Sequence, residues 1–251
     1  MNIEEAMKKC QVMSKPNDSI VQSMILNHWT GGEKNPKLVM ELGSGSGGWS
    51  RFMHFLGATN IDYILLEDFS WAKSGYADSR FYWPYDKEDF LNFMNRTDDR
   101  IFIENLIDKT VNNAVKDGDL DAYKNNVLAV RVDCDIDYND LVFIVDNCLE
   151  PEGFVIIDDC KVNCGLKRIL SAIDLLQDKK CYPVFAGDKE MMLCKSKERA
   201  YSTQDSVIEK IENYNNIYSN LEIVYSKNID EIRFLDITPF KVYVESGQGK
   251  V

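Results

Sequence analysis

The stretch Leu38-Val39-Met40-Glu41-Leu42-Gly43-Ser44-Gly45-Ser46-Gly47-Gly48-Trp49 decides how the rest of the chain is read. An apolar run closes on an acid and then on four glycines, the pattern of a buried parallel strand that feeds a tight turn and a helix N-terminus. Glycine is needed there because a side chain would hold a ligand away from the backbone, and because some turn positions require φ > 0. The stretch therefore predicts a turn that sets backbone N–H groups beside a ligand.

Working outward, Trp49 to Leu56 reads as a first crossover helix ended by Gly57, and Tyr63 to Leu66 as a second strand. That strand ends on Glu67-Asp68, roughly 20 residues past the glycines, where an acid can accept hydrogen bonds from both hydroxyls of a ribose. Glu67 directly follows the apolar run and is the first choice, with Asp68 the near alternative. Ile101 to Ile103 predicts a third strand, with Asn105 at its end as a contact to an adenine, and residues 108–124 read as polar helix interrupted at Asp117-Gly118-Asp119. Val127 to Val132 is a fourth strand, Tyr138 to Leu149 a helix, Pro151-Glu152-Gly153 a turn, and Phe154 to Ile157 a fifth strand that ends on Asp158-Asp159. A helix from Leu166 to Leu176 follows, then a hairpin of Cys181–Phe185 and Met191–Cys194 around Gly187-Asp188. This alternation predicts an α/β fold with a doubly wound, mostly parallel, seven-stranded sheet. Residues 1–35 form an N-terminal helical extension in which Asp18 or Ser19 caps a helix. Residues 36–196 form the core, and 197–251 a C-terminal helix with short strands, Leu221–Tyr225 and Phe240–Val244, as a lid, a dimer surface or both.

The 251 residues, 45% of them hydrophobic, suffice for one α/β domain with additions. A formal charge of −12 and a pI near 4.7 disfavour contact with a phosphate backbone, so no nucleic-acid partner is expected. No segment has the apolar length of a membrane span, and Met1–Glu5 lacks the basic and apolar regions of a signal peptide, so a soluble cytoplasmic protein is expected. Seven scattered cysteines fit reduced thiols. Cys160 and Cys164 form a C-x3-C pair, too few soft ligands for structural zinc.

The glycines satisfy two patterns. Gly43, Gly45 and Gly48 match the dinucleotide form G-x-G-x-x-G, while Glu41, Gly43, Gly45 and Gly47 match E-x-G-x-G-x-G, which resembles motif I of class I S-adenosylmethionine (SAM) methyltransferases. The strand ends add a row of acids. Asp133, Asp158 and Asp159 can offer three oxygens to a hard divalent ion, for which magnesium suits better than zinc because His28 and His54 lie elsewhere in the chain. Such an ion would hold two acceptor oxygens and lower the pKa of a hydroxyl, and Asp135 would take the proton.

Asp133-Cys134-Asp135 with Tyr138, followed by Pro151-Glu152-Gly153-Phe154-Val155-Ile156-Ile157-Asp158-Asp159, resembles the D-G-D…P-G-G-x-x-x-x-D-D signature of the macrocin O-methyltransferase family, metal-dependent sugar O-methyltransferases. The likeness spans about residues 38–195. It implies SAM as cofactor, held by Glu41, Gly43, Ser44, Gly45, Glu67, Asp68 and Asn105. It further implies magnesium on Asp133, Asp158 and Asp159, and Asp135 as base. Cys134 stands for the family's Gly, the Tyr is displaced by one position, and Glu152 interrupts P-G-G. Ile136 stands where a catechol-type methyltransferase has its Lys base, which argues against that type. The expected activity is O-methylation of a small-molecule hydroxyl, foremost a sugar or glycan precursor, with a phosphate or phosphoramidate oxygen as the alternative. From other classes, an NAD(P)-dependent oxidoreductase would need a proton donor that this acidic edge does not supply, and a non-catalytic nucleotide-binding domain would not need the acids. Homo-oligomerisation stays open.

Overall fold

The apolar run before the glycines is β1 (Lys37–Leu42) in a computed structural model that describes residues 3–13, 15–75, 80–96, 101–160, 166–218, 222–229 and 232–238. On one side it pairs in parallel with β2 (Ile61–Leu66) and on the other with β4 (Val127–Val132), so that Met40 faces Ile64 and Val130 across the two ladders. β4 is buried along its whole length, as expected for a strand covered on both faces. Outside β2 lies β3 (Phe102–Ile107), and outside β4 lies β5 (Leu149–Ile157), both parallel. β7 (Met191–Cys194) then runs antiparallel between β5 and β6 (Tyr182–Ala186).

The seven expected strands thus form the order β3-β2-β1-β4-β5-β7-β6, a doubly wound, Rossmann-like sheet. It does not stop there. β9 (Ile232–Thr238) adds to the free edge of β6, and β8 (Glu222–Ile229) pairs antiparallel with β9, which brings the sheet to nine strands. The expected strand at Leu221–Tyr225 overlaps β8; the one at Phe240–Val244 and the cysteine at 164 lie outside the described residues.

Strand alternation sends successive side chains to opposite faces. Val39, Tyr63, Leu65, Ala129, Phe154 and Ile156 join one core with α1 (Ile3–Cys10), α2 (Pro16–Thr30), α3 (Gly48–Phe55), α5 (Lys87–Arg96) and α9 (Lys197–Tyr218). Met40, Ile64, Val130, Val155 and Ile157 join the other with α6 (Val111–Asp117), α7 (Tyr138–Asn147) and α8 (Leu166–Gln177). A short helix, α4 (Ser70–Lys73), follows β2. Thr110 caps α6 by accepting from the Asn113 N–H, and Gly118 ends it with φ +76°, the interruption expected at that place.

Three local expectations are corrected. β3 extends to Ile107, past the polar pair Glu104-Asn105, because it is an edge strand with one exposed face. β5 begins at Leu149 and carries Pro151-Glu152-Gly153 as an irregularity within the strand, not as a turn before it. α2 begins with Pro16 at its first turn, and Asp18 does not cap it: its carboxylate accepts the N–H groups of Asp188, Lys189 and Glu190, each at 2.8–3.0 Å. Among the described residues no helix is long and apolar enough to cross a membrane.

Candidate active site

At the carboxyl edge of the parallel strands the ladder runs one residue beyond each strand. Gly43 N–H donates to Leu66, Glu67 N–H to Ile107, Asp133 N–H to Leu42 and Asp158 N–H to Val132, which aligns the four positions. They border a cavity of about 570 Å³ at the point where the strand order reverses between β1 and β4. The glycine turn forms one wall. Gly43 (φ +79°) passes so close to the β4 end that a Cβ would meet the Asp133 carbonyl oxygen at 2.7 Å, and Gly45 (φ +54°) lies under the Trp83 ring, which a Cβ would meet at 3.2 Å. Glu67 fixes the turn from β2: its Oε2 accepts from Gly45 N–H at 2.6 Å and its Oε1 from Phe69 N–H at 3.1 Å. The Ser44 hydroxyl is buried beside the cavity with no partner among the described residues. Trp71, Phe81, Tyr82 and Trp83 form an aromatic wall opposite, part of it tied down where Tyr82 N–H donates to Gln11.

Below the turn, an arginine inside β4 organises the charges. Arg131 is 2% exposed, and its guanidinium donates to Glu41 (3.2 Å), Asp133 (2.9 Å), Asp158 (2.6 Å) and Glu190 (3.1 Å) while lying 5.3 Å from the Trp49 ring. Burial outweighs this arginine at two of the acids, holding the Glu41 and Glu190 carboxyls up to about 7. Glu41 also accepts from the Ser50 hydroxyl. Burial likewise pushes the Cys134 thiol up to about 12, so it is neutral and no nucleophile at physiological pH. Asp159 holds a left-handed conformation, φ +57°, and its N–H donates to the Asp158 carboxylate.

Of the residues expected to hold a cofactor, Glu41, Gly43, Ser44, Gly45, Glu67 and Asp68 line the cavity. Asn105 does not: β3 runs on for two residues past it, and its amide donates to the Tyr123 hydroxyl, so Lys109, Thr110 and Val111 occupy the cavity edge instead. Asp133, Asp135, Asp158 and Asp159 also line the cavity, and one oxygen from each of Asp133, Asp158 and Asp159 lies within 4.8 Å of the others. These three do not fit a divalent ion as arranged, because both oxygens of each are taken by Arg131, Arg168 and Lys189. Asp135 differs. It stands exposed at the cavity edge and, among the described residues, makes no ion pair.

Arg131, Arg168, Lys189 and Glu190 are not among the residues expected from the sequence. Arg131 did leave a signal, a charge inside an apolar run with an acid two residues on, hence on the same face of the strand. The other three come from α8 and the β6–β7 hairpin and are adjacent to the acids only in space.

No family model and no curated protein sequence matches the chain. Solved structures of similar fold include a methyltransferase from Geobacter sulfurreducens (13% identity, 77% of this chain and 85% of that one, TM-score 0.47). A SAM-dependent O-methyltransferase from Thermotoga maritima (14%, 73% and 66%, TM-score 0.44) is also similar. So is a spermidine synthase in complex with the transition-state analogue AdoDATO (18%, 81% and 68%, TM-score 0.46).

Proposed function

We propose that this chain is a SAM-dependent O-methyltransferase acting on a hydroxyl of a small molecule, foremost a sugar or glycan precursor. The observation that carries the reading is the contrast among the cavity carboxylates: Asp133, Asp158 and Asp159 are ion-paired, while Asp135 at the edge is left open to take a proton. Bound SAM supplies an electrophilic methyl group on a sulfonium sulfur.

The fit to SAM is supported by the glycine turn, where a Cβ at Gly45 would meet Trp83, and by the Ser44 hydroxyl, which has no partner among the described residues. Glu67 or Asp68 would accept from the ribose hydroxyls, and the turn's N–H groups would face the polar end of the cofactor. The aromatic wall offers flat apolar faces to a ring, while Asp135 accepts from its hydroxyl. Asp135 would remove the hydroxyl proton as the oxygen attacks the methyl carbon and the carbon–sulfur bond breaks. Holding the two reactants together in one cavity contributes through orientation.

Calorimetric titration of the purified chain with SAM and, separately, with NADH tests the reading. Micromolar SAM affinity with no response to NADH is the expected result. NADH binding without SAM binding would replace the methyltransferase reading by that of a nicotinamide enzyme. Asp135→Asn is expected to leave SAM affinity unchanged and to lower kcat by roughly 10²–10⁴-fold, the usual scale for a lost general base.

A further inference from the structure

We infer that Asp133, Asp158 and Asp159 are closed by this chain's own cations and that the site takes no divalent ion. The pairing is complete. Asp133 receives Arg168 Nη1 on Oδ1 at 2.7 Å and Arg131 Nη1 on Oδ2 at 2.9 Å. Asp158 receives Arg131 Nη2 on Oδ2 at 2.6 Å and Lys189 Nζ near Oδ1 at 3.3 Å. Asp159 receives Lys189 Nζ on Oδ1 at 2.8 Å and Arg168 Nη2 on Oδ2 at 2.9 Å. Each of the three acids is bridged by two of the three cations, so an ion would have to displace an ion pair at every carboxylate.

The cations are held in place from elsewhere in the fold. Arg131 belongs to a fully buried strand, one residue before its end, and is gripped by Glu41 and Glu190 as well, so it cannot withdraw to make room. A divalent ion among the three acids would lie beside that fixed guanidinium and be repelled by it. Lys189 is delivered by a hairpin whose backbone N–H groups are clamped by Asp18. Arg168 is 7% exposed and spans Asp133 and Asp159 with its two terminal nitrogens, the forked geometry that suits a guanidinium. Magnesium binds through a nearly ideal octahedron of oxygens and gives up water reluctantly, so it competes poorly with charge-assisted hydrogen bonds already made.

This inference goes beyond the methyltransferase reading and is tested without turnover. Chelator-treated protein is titrated with Mn²⁺, followed by loss of the free-ion electron paramagnetic resonance signal, and with Mg²⁺ in a calorimeter. Both titrations are run with and without S-adenosylhomocysteine. The expected result is no saturable binding in the millimolar range in either condition. The double variant Arg168→Met/Lys189→Met removes the two ion pairs of Asp159 described above and one each of Asp133 and Asp158, and should gain Mn²⁺ affinity by roughly tenfold or more. Saturable binding to the unaltered chain that Asp159→Asn weakens would overturn the inference. The unaltered chain decides the matter even if the double variant does not fold, and failure to bind SAM is read separately.

Discussion

Arg131 is the residue on which the site's stability turns. It is a buried cation surrounded by Glu41, Asp133, Asp158 and Glu190. Removing one partner of a buried ion pair strands the other charges, so Arg131→Met is expected to cost about 3–5 kcal/mol by urea unfolding. Arg131→Lys should recover only part of this, because an ammonium cannot reach four acids with two forked nitrogens. The same cluster sets a pH dependence. Glu41 and Glu190 are raised from 4.5 to about 7, so across that interval the folded chain binds more protons than the unfolded one and stability falls as pH rises. Burial would raise Asp158 as well, but Arg131 and Lys189 outweigh it and hold its carboxyl at about 2; its contribution is present above the ordinary 3.8 and is lost as pH falls through 2. Asp133, raised by burial from 3.8 to about 6, adds to the same decline, so melting temperature is expected to be highest near pH 4 and to fall towards neutrality, and Glu41→Gln should flatten that fall. A curve rising from pH 5 to 8 in the unaltered chain would contradict this assignment.

At the scale of elements, the β6–β7 hairpin carries Lys189 to Asp159 and Glu190 to Arg131, and α2 holds it there through Asp18. Gly187 is the point of closest approach: a Cβ there would lie 1.9 Å from the Asp18 carboxylate oxygen Oδ1. Gly187→Ala is expected to destabilise by about 1–3 kcal/mol through overpacking. Asp18→Ala strands three backbone donors, at about 1–3 kcal/mol for each that stays dry. Because both changes disturb one contact, the double variant should fall short of the sum of the singles, and a denaturant-based double-mutant cycle measures the shortfall. Additive losses would mean that the two residues do not act on each other. Nothing in the local sequence announces this clamp. Asp18 reads as a helix cap and Gly187-Asp188 as an ordinary hairpin turn, and each is half of a contact spanning about 170 residues of chain.

For the whole molecule, the C-terminal segment belongs to the main sheet. β9 covers the free edge of β6, α9 buries Ala200 and Val207 in the core shared with α2 and α3, and the Trp29 indole donates to the Thr203 hydroxyl. A chain cut after residue 196 would expose both an unpaired strand edge and that apolar face, so it should aggregate or fail to give a cooperative melt. A soluble fragment with a sharp transition would show residues 197–251 to be dispensable. The excess of acids, at −12, also predicts no shift of RNA or duplex DNA in low-salt gels.

What the sequence determined by itself is what depends on near neighbours. Apolar runs and their period specify β1, β2, β4 and β5 and the helices between them, the glycines require the turn after β1, and the βαβ alternation leaves few orders for the first five strands. From these it follows that Glu41, Glu67, Asp133, Asp135, Asp158 and Asp159 share one edge. Only the tertiary structure decided what the acids do there. Arg168 comes 35 residues after Asp133, and Lys189 31 after Asp158, from elements whose own sequence carries no sign of the other. The continuation of the sheet through β9 is equally non-local, since a strand edge is closed by whichever segment packs beside it. Charge is the reason the difference matters. A row of acids read along the chain calls for a metal, while the same acids with three cations folded among them are already ion-paired.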